Sequence, residues 1–247
     1  MAFPSKPGPF RPDMVGDGDR YEISRGHPIY SSPAGARHGG KQLVGALPIA
    51  TDPAVTEAGI DVGYATDEHT LRAPDLSVGN VPDRPGWVSG APLLAVEYAD
   101  RGTDEEQLQA KIRELSAAGT RLTWVVRLVG PRRVDVYPRE GEPFTVGSGG
   151  MLDAQGILSR PMPVDALFDP QRAEAVALEN LLRRSGQPTL EQAREEGREE
   201  GRALVRTAIE ALCEVLGLAV EPSRLANASH AELESLLSHL RKHRSWP

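Results

Sequence analysis

The chain has 247 residues, 26% of them charged, and a formal net charge of -7, so it is long enough for one good core with an appendage. The acidic balance excludes a global basic footprint for nucleic acid and confines any polyanion contact to a local groove. Cys213 is the only cysteine, which excludes an internal disulfide and fits a reducing, cytoplasmic setting, and no run of roughly 18 apolar residues predicts a membrane span.

Residues 1–19 are rich in Pro, Gly and charge, carry no apolar signal core, and are expected to be a flexible arm. Residues 20–30 (RYEISRGHPIY) read as two short strands about a turn at Arg25-Gly26. Residues 42–47 predict a short helix that Pro48 ends early. Residues 59–65 and 76–79 predict strands, with Asp75 at the entry to the second, directly after Pro74. A Pro/Gly loop over 80–90 follows.

Residues 91–130 read as strand, loop, helix, strand, and the rest of the chain is organised around them. The continuous apolar run 93–96 marks a strand buried on both faces, and Glu97 ends the run. Thr103 with Glu106 three residues on predicts a capping box. Leu108, Ile112 and Leu115 fall at i, i+4 and i+7 and form one apolar stripe. Lys111 lies on that stripe, where an ammonium is costly unless an anion meets it. Gly119 predicts the C-cap, residues 122–129 a second buried strand, and residues 131–138 a strand that pairs back on it. Residues 144–157 finish the sheet, and an α/β domain over 20–168 closes with PMPVDALF.

Residues 169–188 predict a connecting helix, which Pro188 breaks and Thr189 recaps. A long charged helix then lies within 189–218, with the repeat REEG at Arg194 and Arg198. Its small and apolar positions, Leu190, Ala193, Gly197, Gly201, Leu204, Ala208, Leu212 and Val215, recur with an 11-residue period, the signature of a straight or slightly right-handed coil. Self-association, or a helical partner, is expected through residues 190–216. Residues 219–247 predict a small helical cap, with Pro222 at one helix start and a Ser229/Glu232 capping box at the next.

One acidic set stands out: Asp75 and Glu97, each beside a buried strand, with Lys111 on the adjoining helix. Two carboxylates on neighbouring strands supply hard oxygen ligands for Mg²⁺ or Mn²⁺, and a nearby lysine stabilises charge developing on a phosphorus. The bland alternative is that Asp75 only starts a strand and Lys111 snorkels to solvent. His38 reads either as a base or phosphate contact or as a solvated loop residue. No His/Cys cluster has zinc spacing, and neither a G-x-S-x-G nor a P-loop pattern is present.

Pro74-Asp75, the segment PLLAVEY ending in Glu97-Tyr98, the helix carrying Lys111 and the segment AAGTRLTWVV together resemble the Uma-type family of restriction-endonuclease-like proteins, within the PD-(D/E)xK nuclease superfamily. RYEISRGHPIYSSPAGARHG resembles the family's opening segment, and VDVYPREGE and PMPVDALF its closing ones, so the resemblance spans residues 18–168 in order. It implies an α/β fold, a twisted mixed sheet flanked by helices, with an α-helical extension at the C-terminus. It also implies an Mg²⁺-dependent DNA endonuclease, or else a nuclease-like module kept for assembly through the tail. Asp75 matches the first metal-binding aspartate and Glu97 the acid of the E-x-K element, while Glu22 matches a further acidic position. Ala99 stands in the usual lysine place, and Lys111 matches the lysine that the following helix supplies. Two departures bear on catalysis: Gln107 replaces an aspartate four residues before Lys111, and the opening helix after His38 is short and glycine-rich.

Overall fold

In the computed structural model, which describes residues 8–16, 18–220 and 222–247, the chain divides into two units, Met1–Ser185 and Gly186–Pro247. The first unit begins with a hairpin, Tyr21–Ser24 (β1) and His27–Tyr30 (β2), turning through Arg25 and Gly26 at φ 48° and 80°. Two successive positive φ values give the turn whose twist suits paired antiparallel strands. Residues 1–7 and 17 of the expected arm lie outside the described residues. The described part is tied down: Phe10 N–H donates to Gly26 O at 2.9 Å, and Trp87 Nε1 donates to the carbonyls of Pro12 and Val15.

Helix α1 (Ala36–Ala50) is longer than the sequence predicts and passes through Pro48. Pro48 gives up the bond an N–H there would make to the carbonyl of Val44, and the helix ends two residues later; buried Pro48 offers its own carbonyl to Asn180 Nδ2 at 3.0 Å. The predicted strand over 59–65 is two strands in two sheets, Ala58–Ile60 (β3) and Tyr64–Asp67 (β4). The chain switches sheets through Asp61, at φ 52°, and Gly63, whose Cβ position is filled by Trp87 at 2.4 Å. Then come Thr70–Arg72 (β5), Leu76–Val78 (β6), Val88–Ser89 (β7) and Leu94–Ala99 (β8). Helix α2 (Glu105–Ala118) crosses over to Leu122–Arg127 (β9), followed by Arg133–Pro138 (β10) and Phe144–Gly147 (β11).

One sheet runs β2-β1-β5-β4-β7 and the larger one β11-β10-β9-β8-β6-β3. The larger sheet is mixed: β8 and β9 are parallel across α2, and its other pairings are antiparallel. All six residues of β8 are buried, so Glu97 lies inside the strand and does not end it. Alternation sends Leu94, Val96 and Tyr98 into one core with Ile49 and Leu167, while Ala99 on the other face joins Leu108, Ile112 and Val125. Burying Leu108, Ile112 and Leu115 contributes about 1.5–3 kcal/mol each to docking α2. The helix is capped by Asp104, which accepts from Glu106 N and Gln107 N, and Gly119 ends it as predicted. Thr103, the expected cap, instead accepts from Asp100 N, because Asp104 is one residue nearer the first turn. Helix α3 (Pro170–Arg184), predicted as a connector, belongs to this unit and buries Ala173, Ala177 and Asn180.

The second unit holds α4 (Leu190–Leu216), α5 (Pro222–Asn227) and α6 (His230–His243). Thr189 and Ser229 both form full capping boxes, with Gln192 and Glu232. Ile209, Cys213, Leu225, Leu233, Leu236 and Leu240 make its core. The predicted α4 stripe is therefore divided: Leu212 joins this core and Gly201 meets His230 of α6, while Leu190, Leu204 and Val215 stay exposed, and Val205, Ile209 and Cys213 from beside the stripe complete the packed face. Among the described residues no helix is long and apolar enough to cross a membrane.

Two outcomes follow from this packing. A Cβ on Gly45 of α1 would stand 1.8 Å from the Tyr98 hydroxyl, so Gly45→Ala should destabilise by about 1–3 kcal/mol in urea unfolding, overriding the gain of about 1 kcal/mol that alanine brings to a helix. Glu105 takes Arg127 at 2.7 and 2.8 Å, and these bonds hold its carboxyl down at about 2. A lowered value means that the pair's small contribution is present above the ordinary carboxylate range and lost as pH falls through about 2. NMR titration should find Glu105 ionised at about pH 3 and Arg127→Ala returning it toward 4.5.

Candidate active-site cleft

Strand register sets the first two groups. Leu76 pairs with Val96 and Ser77 with Ala95, so one step further Asp75 stands opposite Glu97. Tyr98 N–H donates to Asp75 Oδ2 at 2.6 Å and fixes that carboxylate at the strand end. Like charges facing each other across a strand pair repel. The counter-charge comes from α2, whose apolar stripe turns Lys111 inward. Its Nζ lies 2.7 Å from Ala73 O, 3.0 Å from Glu22 Oε1 and 2.9 Å from Glu97 Oε1. Those three acceptors match the three protons of an ammonium, but the approach to Glu97 Oε1 is poorly aligned, and that buried oxygen makes no proper hydrogen bond. The alternative in which Lys111 snorkels is overturned: its side chain is only 12% exposed.

Two further groups brace this cluster. Arg72, 2% exposed, reaches Glu22 Oε2 at 3.2 Å and Glu114 Oε2 at 2.5 Å, and Ser24 Oγ donates to the other oxygen of Glu114 at 2.7 Å. From α1, His38 Nε2 lies 3.1 Å from Asp75 Oδ1, with its ring edge-on to Tyr98 at 6.1 Å between centroids. Gln42 Nε2 donates to Asp75 O at 2.7 Å and sits 3.4 Å from Asp61 Oδ1. Glu22, His38, Gln42, Asp61, Asp75 and Lys111 line a cleft of about 780 Å³, whereas Glu97, Arg72 and Glu114 are not among its lining residues.

The electrostatics follow from burial and crowding. Burial pushes the Glu97 carboxyl up, with Lys111 opposing the rise and Asp75 and Glu22 adding to it. Burial works against the Lys111 ammonium, yet Glu22, Glu97 and Asp75 outweigh it and hold the charge beyond the ordinary lysine range. The hydrogen bond to Asp75 raises His38, and burial followed by the charge of Asp75 raises Asp61. Among the described residues no group of three or more His, Cys, Asp or Glu side chains is gathered as a ready metal cage. The donor chemistry nonetheless fits a hard divalent cation: two carboxylates on adjoining strand positions, one with an oxygen that lacks a proper hydrogen bond.

The structure brings all five sequence-predicted residues, Asp75, Glu97, Lys111, Glu22 and His38, into one connected cluster. Gln107, by contrast, is exposed. Sequence reasoning missed Arg72, Glu114, Gln42 and Asp61. Glu114 had a usable signal, since it lies three residues after Lys111 on the same side of α2. Arg72 had a weaker one, a charge inside a buried strand. Arg72→Met should cost about 3–5 kcal/mol in urea unfolding, because Glu22 and Glu114 lose a buried partner. Adding Glu114→Gln should recover part of that loss.

Comparison with known proteins places this geometry in context. The Uma2 family model, described as "Putative restriction endonuclease", matches residues 10–159. No curated protein matches the chain. Among solved structures the chain is similar to a crystal structure described as "a putative nuclease belonging to DUF820" from Anabaena variabilis, with a TM-score of 0.52 and 17% identity over 62% of this chain and 91% of that one. At that identity the likeness is one of fold. The family match covers more than half of the chain and contains every residue of the cluster, from Glu22 to Glu114; the chain belongs to the Uma2 family.

Proposed function

We propose that the chain is a nuclease that hydrolyses phosphodiester bonds of DNA, with a divalent cation, Mg²⁺ or Mn²⁺, held by Asp75 and Glu97. The observation that carries this reading is the buried Lys111 ammonium, gripped by Glu22, Glu97 and Ala73 O beside Asp75 at the floor of an open cleft. In the reaction the oxygen of a water bonds to phosphorus, the ester P–O bond breaks, and the departing oxygen takes up a proton. A bound cation would polarise a phosphoryl oxygen and ease ionisation of the attacking water.

The chain's own groups do the rest. Asp75, with one oxygen fixed by Tyr98 N–H, and Glu97 present carboxylate oxygens from adjacent strand positions. Lys111, aimed by Glu22 and Ala73 O, offers its charge to the phosphate as negative charge builds on it. His38, kept cationic to higher pH by Asp75, is a phosphate contact on the α1 side of the cleft. Local cations in the cleft thus serve a polyanion although the whole chain is acidic.

A second reading, a nuclease-like platform without catalysis, is favoured by one observation: the Glu97–Lys111 pair already neutralises the buried carboxylate at 2.9 Å. Calorimetry with Mg²⁺ and Mn²⁺, paired with a plasmid cleavage assay, separates the two. Lys111→Met keeps the apolar stem, and it should leave cation binding intact or tighter while lowering cleavage on the order of 10²-fold or more. Glu97→Gln should lose the cation itself. Wild-type protein that binds no divalent cation at about millimolar concentration overturns the nuclease reading and leaves the platform.

A further inference from the structure

Helix α4 carries two apolar faces, one covered and the other open along most of its length. Val205, Ile209, Leu212 and Cys213 pack on α5 and α6. A second face runs through Leu190, Gly197, Gly201, Leu204, Ala208 and Val215, which lie within about 40° of one line at about 100° per residue. Leu190, Leu204 and Val215 are 53%, 73% and 81% exposed, and all of residues 191–200 are exposed. Nothing lies within 4 Å of where a Cβ on Gly197 would stand, while one on Gly201 would meet the His230 ring of α6 at 3.6 Å. Glycine weakens a helix interior, and an exposed, charged helix segment has little to hold it.

We propose that this face joins α4 to the α4 of a second copy of the chain in a parallel, two-fold pair. Charge identifies the occupant. Arg194 and Arg198 lie along one flank of the face, and Glu196 and Glu200 along the other. A parallel two-fold lays the arginine flank of one helix against the glutamate flank of its mate, whereas an antiparallel pair sets like against like. The contact of Arg198 with Glu195 at 3.1 Å within its own helix is an exposed pair of little strength, so it is free to re-form across the seam. Gly197, with open space at its Cβ position, permits close approach of two helices. The pairs Leu190/Gly201, Gly197/Ala208 and Leu204/Val215 each keep the 11-residue step that holds such a seam straight or slightly right-handed.

Light scattering of the full chain, from about 1 to 100 μM, should give a mass of twice 26.6 kDa. Leu204→Asp combined with Val215→Asp should give the single-chain mass with an unchanged helical circular dichroism spectrum, since both side chains are exposed. Arg194→Glu with Arg198→Glu should weaken the dimer by on the order of tenfold, and adding Glu196→Arg with Glu200→Arg should restore it. Leu204→Cys should form a covalent dimer on mild oxidation, because a parallel two-fold sets that position against itself. A wild-type chain of single mass throughout overturns the proposal and leaves the face to another protein or to the chain's own α/β unit. A dimer that survives the two aspartates overturns the surface, and failure of both the charge swap and the cross-link overturns the parallel pairing.

Discussion

The Lys111 ammonium is the contact on which the α/β unit depends. It ties together β1 through Glu22, the turn before Asp75 through Ala73 O, β8 through Glu97, and α2, on which it stands. Without a cation there, Asp75 and Glu97 would face each other across a strand pair with nothing to offset their repulsion. Burial then makes the arrangement sharply directional: a charge in a low-dielectric site is tolerated only with partners in place. The helix that closes the parallel β8–β9 crossover is thus docked partly by Leu108, Ile112 and Leu115 and partly by one ion cluster.

That cluster continues into two structural layers. Arg72 bridges Glu22 and Glu114, so the smaller sheet and α2 hold Glu22 from both sides of its carboxylate. On the opposite side, α1 brings His38 and Gln42 to Asp75, and it lies close to the sheet because Gly45 leaves room for the Tyr98 hydroxyl. Of the glycines of α1, Gly45 is therefore a packing requirement of this core, whereas Gly39 and Gly40 have room for a side chain. The same Tyr98 supplies its ring edge to His38 and its amide to Asp75, which links core packing directly to the geometry of the cleft.

The second unit obeys a different economy. Its core is a handful of leucines with Ile209 and Cys213, and its long helix outruns that core by about half its length. Capping boxes at both long helices satisfy the first-turn amides, so the helices are well defined locally even where little packs on them. The exposed part of α4 is the surface on which the proposed self-pairing rests.

Local rules made much of this chain legible. The β1–β2 turn, the strand-helix-strand unit, the inward Lys111, the Gly119 stop and the Thr189 and Ser229 caps are each set by residues within a few positions of one another, so sequence by itself determined them. Asp75 and Glu97 stood out as acids beside buried strands, and family resemblance gave them roles and added Glu22. Tertiary structure alone decided the rest. Glu97 sits inside β8 because a cation reaches it from α2, not because the strand ends there. Residues 58–67 split between two sheets because Trp87 fills the space at Gly63. Arg72 joins the site because two carboxylates distant in sequence converge on it. On α4 the sequence offers two apolar faces of similar quality, and only the position of α6 determines which one is buried. Periodicity reports that a face is apolar; what covers it depends on partners that no local pattern encodes.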